Sequence, residues 1–181
     1  TSSGGTPSRG IKDYFNGEIP WVKSGELEDN VIYDTEEKIT ESGLQNSSAK
    51  LFFKGTLLIA LYGATVGKTG ILGIDATTNQ AVCAILNKKN SIMEKFLQYY
   101  LIFKREEIIS LSSGAAQPNI SQEIISNFVI SFPPKTEQKK IADILSSVDE
   151  EIEQEVAEKE KIEQLKKGLM QVLLTGKVRV K

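Results

Sequence analysis

The sequence predicts an α+β (mixed α/β) globular domain over residues 1–134, followed by one long C-terminal α-helix within residues 135–181. Three observations predict it. Upstream of Pro133 and Pro134 lie short apolar runs rich in β-branched and aromatic residues, cut by Gly, Asn and Ser, which is the texture of strands and turns. Among them, the stretch from Ser91 to about Leu111 is amphipathic with helical spacing. Downstream of Lys135, apolar residues recur in steps of three and four as far as Leu173.

The strand runs are Ile19 to Val22, Thr56 to Tyr62, Gly70 to Ile74, Ala81 to Leu86 and Phe128 to Phe132. A short helix is expected after Thr35, with Glu36 and Glu37 at the positive end of its dipole and Gly43 as its stop. Ser91-Ile-Met-Glu94 has the spacing of a capping box and opens the longer helix. Leu111 to Asn119 reads as loop, and Ser121 or Asn119 caps a brief turn of helix after it. Pro133 and Pro134 form a rigid exit from the last strand, with Thr136 as N-cap of the final helix.

That final helix places Ile141, Ile144, Leu145, Val148, Ile152, Val156, Ile162, Leu165, Leu169, Val172 and Leu173 on a narrow seam, broken once near Lys159. Glu155 with Lys159 and Glu163 with Lys167 stand four apart with the acid first, the better orientation on an exposed helix. From Thr136 to Leu174 the helix would run roughly 58 Å at 1.5 Å per residue. A small domain cannot cover such a seam, so it needs a partner. Gly168 is either a tolerated surface position or a point where another helix comes close, and Gly176 is a C-terminal stop.

With 181 residues, 40% hydrophobic and 25% charged, the chain has a soluble globular composition and enough length to bury a core. It contains no histidine, which excludes Ser-His and Cys-His catalysis, histidine metal sites and imidazole proton relays. The single cysteine, Cys83, forms no internal disulfide and reads as a small core residue. No apolar run approaches the roughly 18 residues of a membrane helix, and the N-terminus has no signal pattern, so a cytoplasmic protein without membrane contact is expected. The chain opens on Thr1 in a polar loop without an initiator methionine, which reads as a fragment or a trimmed sequence.

A net charge of -2 argues against nucleic-acid binding by bulk charge. The distribution along the chain is uneven. Asp13 to Glu41 holds nine acidic and two basic residues, while Lys50 to Arg105 holds eight basic and two acidic. Such segregation permits a focused basic face on an acidic protein, and it equally fits solvated loops and helix surfaces.

Gly63-Ala-Thr-Val-Gly67-Lys68-Thr69 follows a strand but has three residues before Gly-Lys where a P-loop has four, and strand rather than helix comes next. It reads as a turn that lifts Lys68 and Thr69 off the sheet toward a groove or phosphate, with Thr65 on the same turn. Phe132-Pro-Pro-Lys135 superficially resembles the Asn/Asp-Pro-Pro-Tyr element of amino-methyltransferases, but it lacks the polar first residue and the final aromatic. No glycine-rich turn suited to S-adenosylmethionine accompanies it. Thr77-Thr78-Asn79-Gln80 and Gln117-Pro118-Asn119 are clusters of amides and hydroxyls; Asn and Gln can bond adenine bidentately, and the same residues are ordinary in turns and caps. Trp21 reads as core rather than as a base-stacking platform.

Seven segments together resemble one half of the DNA-specificity subunit of type I restriction-modification systems. They are Gly4-Gly-Thr-Pro-Ser-Arg9, Gly17-Glu-Ile-Pro-Trp-Val22, Leu61-Tyr-Gly-Ala-Thr-Val-Gly-Lys68, Thr78-Asn-Gln-Ala-Val82, Gly114-Ala-Ala-Gln-Pro-Asn-Ile-Ser121, Pro133-Pro-Lys-Thr-Glu-Gln-Lys-Lys-Ile-Ala-Asp-Ile-Leu145 and Leu173-Leu-Thr-Gly-Lys-Val178. Their order and spacing cover essentially the whole chain. The resemblance implies a DNA-binding target recognition domain over residues 1–134 and a conserved helical region over 135–181 for dimerisation, spacing and methyltransferase docking. In the family two such helices pack as an antiparallel coiled coil, and each globular domain reads one half of a split target. A usual subunit carries two of each, so this chain is either a half-length subunit that dimerises or a fragment of a longer one.

The expected function is therefore sequence-specific recognition of double-stranded DNA on behalf of methyltransferase (modification) and restriction subunits. Candidate DNA-binding residues are Arg9, Lys23, Thr65, Lys68, Thr69, Thr78, Asn79, Gln80, Gln117 and Asn119, and the helix seam is the candidate self-association surface. No catalytic residue, metal or cofactor is expected in this chain; S-adenosylmethionine is expected on the partner methyltransferase subunit. The alternative is a coiled-coil adaptor whose globular head binds protein, and a steep salt dependence of DNA binding separates the two.

Overall fold

The computed structural model describes residues 1–87, 91–112 and 119–180. By compactness the chain divides into two units, Thr1–Lys139 and Lys140–Lys181. The first is built on two sheets. One has five strands in the order β1 (Ser2–Ser3), β9 (Val82–Ile85), β6 (Leu57–Ala60), β7 (Thr69–Leu72) and β3 (Asn30–Ile32). The other has four, in the order β4 (Lys38–Ile39), β2 (Phe15–Val22), β8 (Ala76–Thr78) and β5 (Leu51–Phe52). Neighbours run antiparallel except β3 beside β7 and β2 beside β8.

Period-two alternation sends the residues of β6 and β9 into two different cores. Leu58, Ala60, Val82 and Ala84 face one cluster with Val22, Phe52 and Ala76 of the four-stranded sheet. Leu57, Ile59, Leu61 and Cys83 face the other, formed with Leu97, Leu101, Ile108, Ile120 and Ile125. These last residues belong to, or flank, the helices α2 (Glu94–Phe103), α3 (Arg105–Ser110) and α4 (Gln122–Asn127). All four residues of β6 are buried, which is why its sequence is an unbroken apolar run rather than an alternating one. Burial pushes the Cys83 thiol pKa up, in keeping with a core role. Trp21 is likewise core: it packs with Ile39 and Ala49, and its Nε1 donates to the Gly5 carbonyl at 3.0 Å.

Several local expectations yield to tertiary contacts. No helix follows Thr35; residues 38–39 form edge strand β4, and the Thr35 hydroxyl accepts from Trp21 N while donating to Glu37 O. The short helix α1 (Glu41–Gln45) begins later, capped by Thr40 accepting from Gly43 N at 3.1 Å, so Gly43 lies inside it. The Ser91 capping box does not form, because Met93 holds the N-cap position of α2 and Glu94 accepts instead from Asn87 Nδ2. The amphipathic stretch is broken at Lys104 into α2 and α3. Ser121 does cap α4, accepting from Ile124 N at 3.2 Å. Most of the expected loop from Leu111 to Asn119 falls outside the described residues. Phe128 to Phe132 is not a strand: Phe128 and Ile130 pack on the helix-side core, but no ladder forms beside them.

Helix α5 (Lys135–Leu173) starts one residue before the expected cap. The Pro134 carbonyl accepts from Glu137 N and Gln138 N, which puts Thr136 inside the first turn. Gln138 is fully buried and ties this turn to α2: its Oε1 accepts from Met93 N at 2.7 Å, and its Nε2 donates to Pro133 O at 2.8 Å and Ser91 O at 3.3 Å. Beyond it, Ile144, Val148, Ile152, Val156, Ile162, Leu165 and Leu169 are all exposed, Leu145 and Leu173 lie just inside the exposed range, and Ile141 and Val172 are half-buried. A side chain at Gly168 would meet nothing within 4 Å, and Gly176, at φ +72°, closes the end by donating to Leu173 O. Among the described residues, no helix is long and apolar enough to cross a membrane.

Replacing Gln138 with Ala leaves the Met93 N-H and two carbonyls without their partner in a buried site. The expected loss is about 2 to 4 kcal/mol of unfolding free energy, read by chemical denaturation; a change below about 0.5 kcal/mol would mean that water replaces the amide.

Candidate nucleic-acid interface

Strand polarity decides where the sequence-derived candidates lie. Val22 pairs with Thr78 at the closing ends of two parallel strands, so Lys23 and Asn79 leave the sheet side by side; Asn79 N donates to Val22 O at 2.9 Å. Ala60 pairs with Val82 and Ile59 with Thr69, which brings the 61–68 turn to the same end. The connection from Thr78 to Val82 joins the two sheets there: Leu61 N donates to Ala81 O, and Gly5 N donates to Thr78 O. Asn119 bridges to Tyr62 beside that turn. Arg9, Lys23, Thr65, Lys68, Thr69, Thr78, Asn79, Gln80 and Asn119 thus gather at one end of the sheets, although they come from across the sequence. Gln117 lies outside the described residues.

Their exposure divides them. Thr65, Thr69 and Thr78 are buried and offer no surface to a ligand in this conformation. The Thr65 hydroxyl donates to Ser24 O at 2.7 Å, and the Thr69 hydroxyl donates to Asp29 Oδ1 at 3.0 Å. The expectation that the turn lifts Thr69 off the sheet is therefore overturned, because Thr69 is the first residue of β7 and is held there by Asp29. Thr78 Oγ1 is buried without a partner. Gln80 and Asn119 are exposed and Asn79 is half-buried, with Asn79 Oδ1 accepting from Ala81 N and Gln80 accepting from the Thr6 hydroxyl.

The three candidate cations Arg9, Lys23 and Lys68 each carry a carboxylate partner. Arg9 Nη1 and Nη2 donate to the two oxygens of Glu37 at 2.5 and 3.2 Å, with the guanidinium lying 4.6 Å from the Phe15 ring centroid and 5.0 Å from that of Trp21. Lys23 Nζ contacts Glu36 at 2.6 Å and Glu37 at 3.3 Å, and Lys68 pairs with Glu28. The Arg9 guanidinium holds the Glu37 carboxyl below its ordinary value of 4.5, against partial burial and with help from Lys23. Glu36 in turn raises the Lys23 ammonium above 10.5. The charge segregation seen along the sequence is therefore offset in part, since Lys68 and Arg105 of the basic segment pair with Glu28 and Asp29 of the acidic one.

Sequence reasoning missed the residue that fastens this end. Asp29, at φ +62°, accepts from Thr69 N, Thr69 Oγ1 and Arg105 Nη2, the last at 2.6 Å to each carboxylate oxygen. Arg105 Nε also donates to Gly67 O at 3.1 Å. Gly67 has φ +76°, and a Cβ there would stand 2.9 Å from Arg105 Cγ, so the turn needs glycine both for its backbone and for room. No local motif signals this node, because its members come from three separate segments.

A family model described as the type I restriction modification DNA specificity domain matches residues 2–164. The chain belongs to that family. Among curated relatives, this specificity-domain chain is 32% identical over 169 residues to the type I restriction enzyme MjaIX specificity subunit of Methanocaldococcus jannaschii, covering 91% of the chain and 39% of the relative. It is 27% identical over 152 residues to the EcoR124I/EcoR124II specificity subunit of Escherichia coli, covering 81% and 37%. The chain thus spans roughly two fifths of the length of these relatives. The HsdS subunit from Thermoanaerobacter tengcongensis shares the fold at a TM-score of 0.63 and 18% identity, over 83% of this chain and 34% of that one. The type I S subunit from M. genitalium does so at 0.61 and 21%, over 94% and 42%.

Two outcomes test the geometry. Asp29→Ala should cost about 2 to 4 kcal/mol, since it strands a quarter-exposed arginine and places Ala at positive φ; Asp29→Asn, which tolerates that φ and keeps an acceptor for Thr69, should cost less, and equal losses would show that charge alone matters. For Glu37, whose folded pKa is depressed, the stabilisation is present above 4.5 and lost as pH falls through the folded value. The melting-temperature gap between wild type and Glu37→Gln should accordingly close on acidification; a gap that persists at pH 2 would assign it to packing.

Proposed function

We propose that the chain is a non-catalytic target-recognition unit of a type I restriction-modification complex, acting on double-stranded DNA in the cytoplasm. The observation that carries this reading is the gathering of the candidate residues at one sheet end. Phosphate and base contacts there would come from Arg9, Lys23, Lys68, Asn79, Gln80 and Asn119, the members of the set with exposed or half-exposed side chains. Thr65 and Thr69 act beneath them by tying the turn to Ser24 and Asp29, and Thr78 is buried there. Chemistry would belong to other subunits: S-adenosylmethionine would bind the methyltransferase subunit, and neither metal nor cofactor is assigned to this chain.

Helix α5 would serve as spacer and as docking surface for the methyltransferase and restriction subunits. Full burial of each large aliphatic side chain contributes roughly 1.5 to 3 kcal/mol, so the exposed seam favours pairing with a second helix in an antiparallel coiled coil. With one chain type, closed two-fold pairing is the commonest solution. Two identical readers related by that axis read inverted copies of one sequence.

Mapping of methylated sites in cells that express this chain with its cognate methyltransferase subunit tests the proposal. An interrupted palindrome is the expected result. A target with two unrelated halves would make the chain one reader of a two-reader subunit, and methylation independent of this chain would remove the recognition role.

A further inference from the structure

We infer that Glu37 and Glu28 are intramolecular stand-ins for DNA phosphate, which keep Arg9 and Lys68 occupied and so suppress binding to DNA of the wrong sequence. The inference rests on the DNA reading above and adds a function for the carboxylates, which that reading leaves without one.

Geometry comes first. Arg9 grips both oxygens of Glu37 in the fork that arginine also offers to phosphate, and Lys23 adds a second cation to the same carboxylate at 3.3 Å. Glu28 occupies the ammonium of Lys68 in the same way. A backbone phosphate reaching this end would meet cations already neutralised, beside carboxylates that repel it. Non-specific DNA affinity derives from release of counterions by free cations, and an internal carboxylate removes that driving force.

Exposure separates these pairs from structural ones. The side chains are 55% and 31% exposed in the Arg9–Glu37 pair and 32% and 56% in the Lys68–Glu28 pair, so one member of each is open to water, where ion pairs are weak enough to exchange partners. Asp29 and Arg105 are only 25% exposed each and are bound further to Thr69 and Gly67, so that pair belongs to the fold. Arg9 also keeps its place when Glu37 is displaced, because the Phe15 and Trp21 rings support the guanidinium independently. The exchangeable pairs therefore set a threshold that a target must overcome through its base contacts, while a random sequence offers only phosphates.

The test uses the full chain and a 40-base-pair duplex of random sequence, titrated at several salt concentrations. Glu28→Gln keeps the side-chain shape and frees Lys68; Glu37→Gln frees Arg9. Each should raise affinity for the random duplex by about three- to tenfold at low salt and steepen the salt slope by about 0.9, the increment for one phosphate contact. In the Glu28→Gln background, Lys68→Ala should cancel the gain, whereas Lys54→Ala, which restores the same net charge from an exposed position before β6, should leave it; equal loss in the two double variants would assign the gain to net charge and overturn the inference. Far-ultraviolet circular dichroism shows that each variant is folded, and Glu28, whose side chain contacts only Lys68 among its described ion-pair partners, covers the case in which Glu37→Gln unfolds. Unchanged affinity and slope in folded variants of a wild type that binds the duplex would overturn the inference alone. Failure of wild type and variants alike to bind any duplex would overturn the DNA reading and this inference with it.

Discussion

The central constraint is that the five-stranded sheet is covered on both faces. Leu58 and Ala60 are sealed against the second sheet, and Leu57 and Ile59 against the helices, with none of the four accessible to solvent beyond 1%. A sheet closed in this way has no face left for a ligand. What it can present are the loops at its strand ends, and the registers send Lys23, Lys68, Asn79 and Gln80 to one of those ends. The location of the candidate interface is thus a result of core packing before it is a result of charge.

Legibility in the sequence followed the range of the interactions. Strands β6 and β9 lie within the apolar runs and β2 and β7 overlap them, and α5 declares itself by periodicity. Caps and short helices were less legible. Ser91 and Glu94 satisfy a local rule, yet Asn87, a few residues upstream, and Gln138, remote in sequence, supply the hydrogen bonds at that helix start. Glu36 and Glu37 look like helix-opening acids and serve instead as partners of Lys23 and Arg9. Phe128 to Phe132 has the apolar, β-branched composition of a strand but pairs with no strand among the described residues.

The same limit applied to the candidate site. Residue type suggested hydroxyl and amide contacts, and position in the fold divided them: Gln80 stayed at the surface while Thr69 and Thr78 went into the core. Asp29 was invisible because nothing in Glu28-Asp-Asn shows that it will adopt a left-handed backbone and clasp an arginine 76 positions away. Charge runs misled in a comparable way, since Glu28 and Asp29 of the acidic run meet Lys68 and Arg105 of the basic one.

Gln138 also governs how the chain opens. Its amide links the first turn of α5 to the entrance of α2, so those backbone hydrogen bonds cannot break one at a time without exposing polar groups from both helices. The rest of α5 is largely solvent-exposed along its length. Amide hydrogen exchange along this one continuous helix should therefore show two regimes: slow at its root, where opening requires disruption of the globular unit, and faster toward Leu173, where the helix is exposed. A second helix laid along the seam would extend the slow regime outward, so the exchange profile of α5 reports the extent of its coverage.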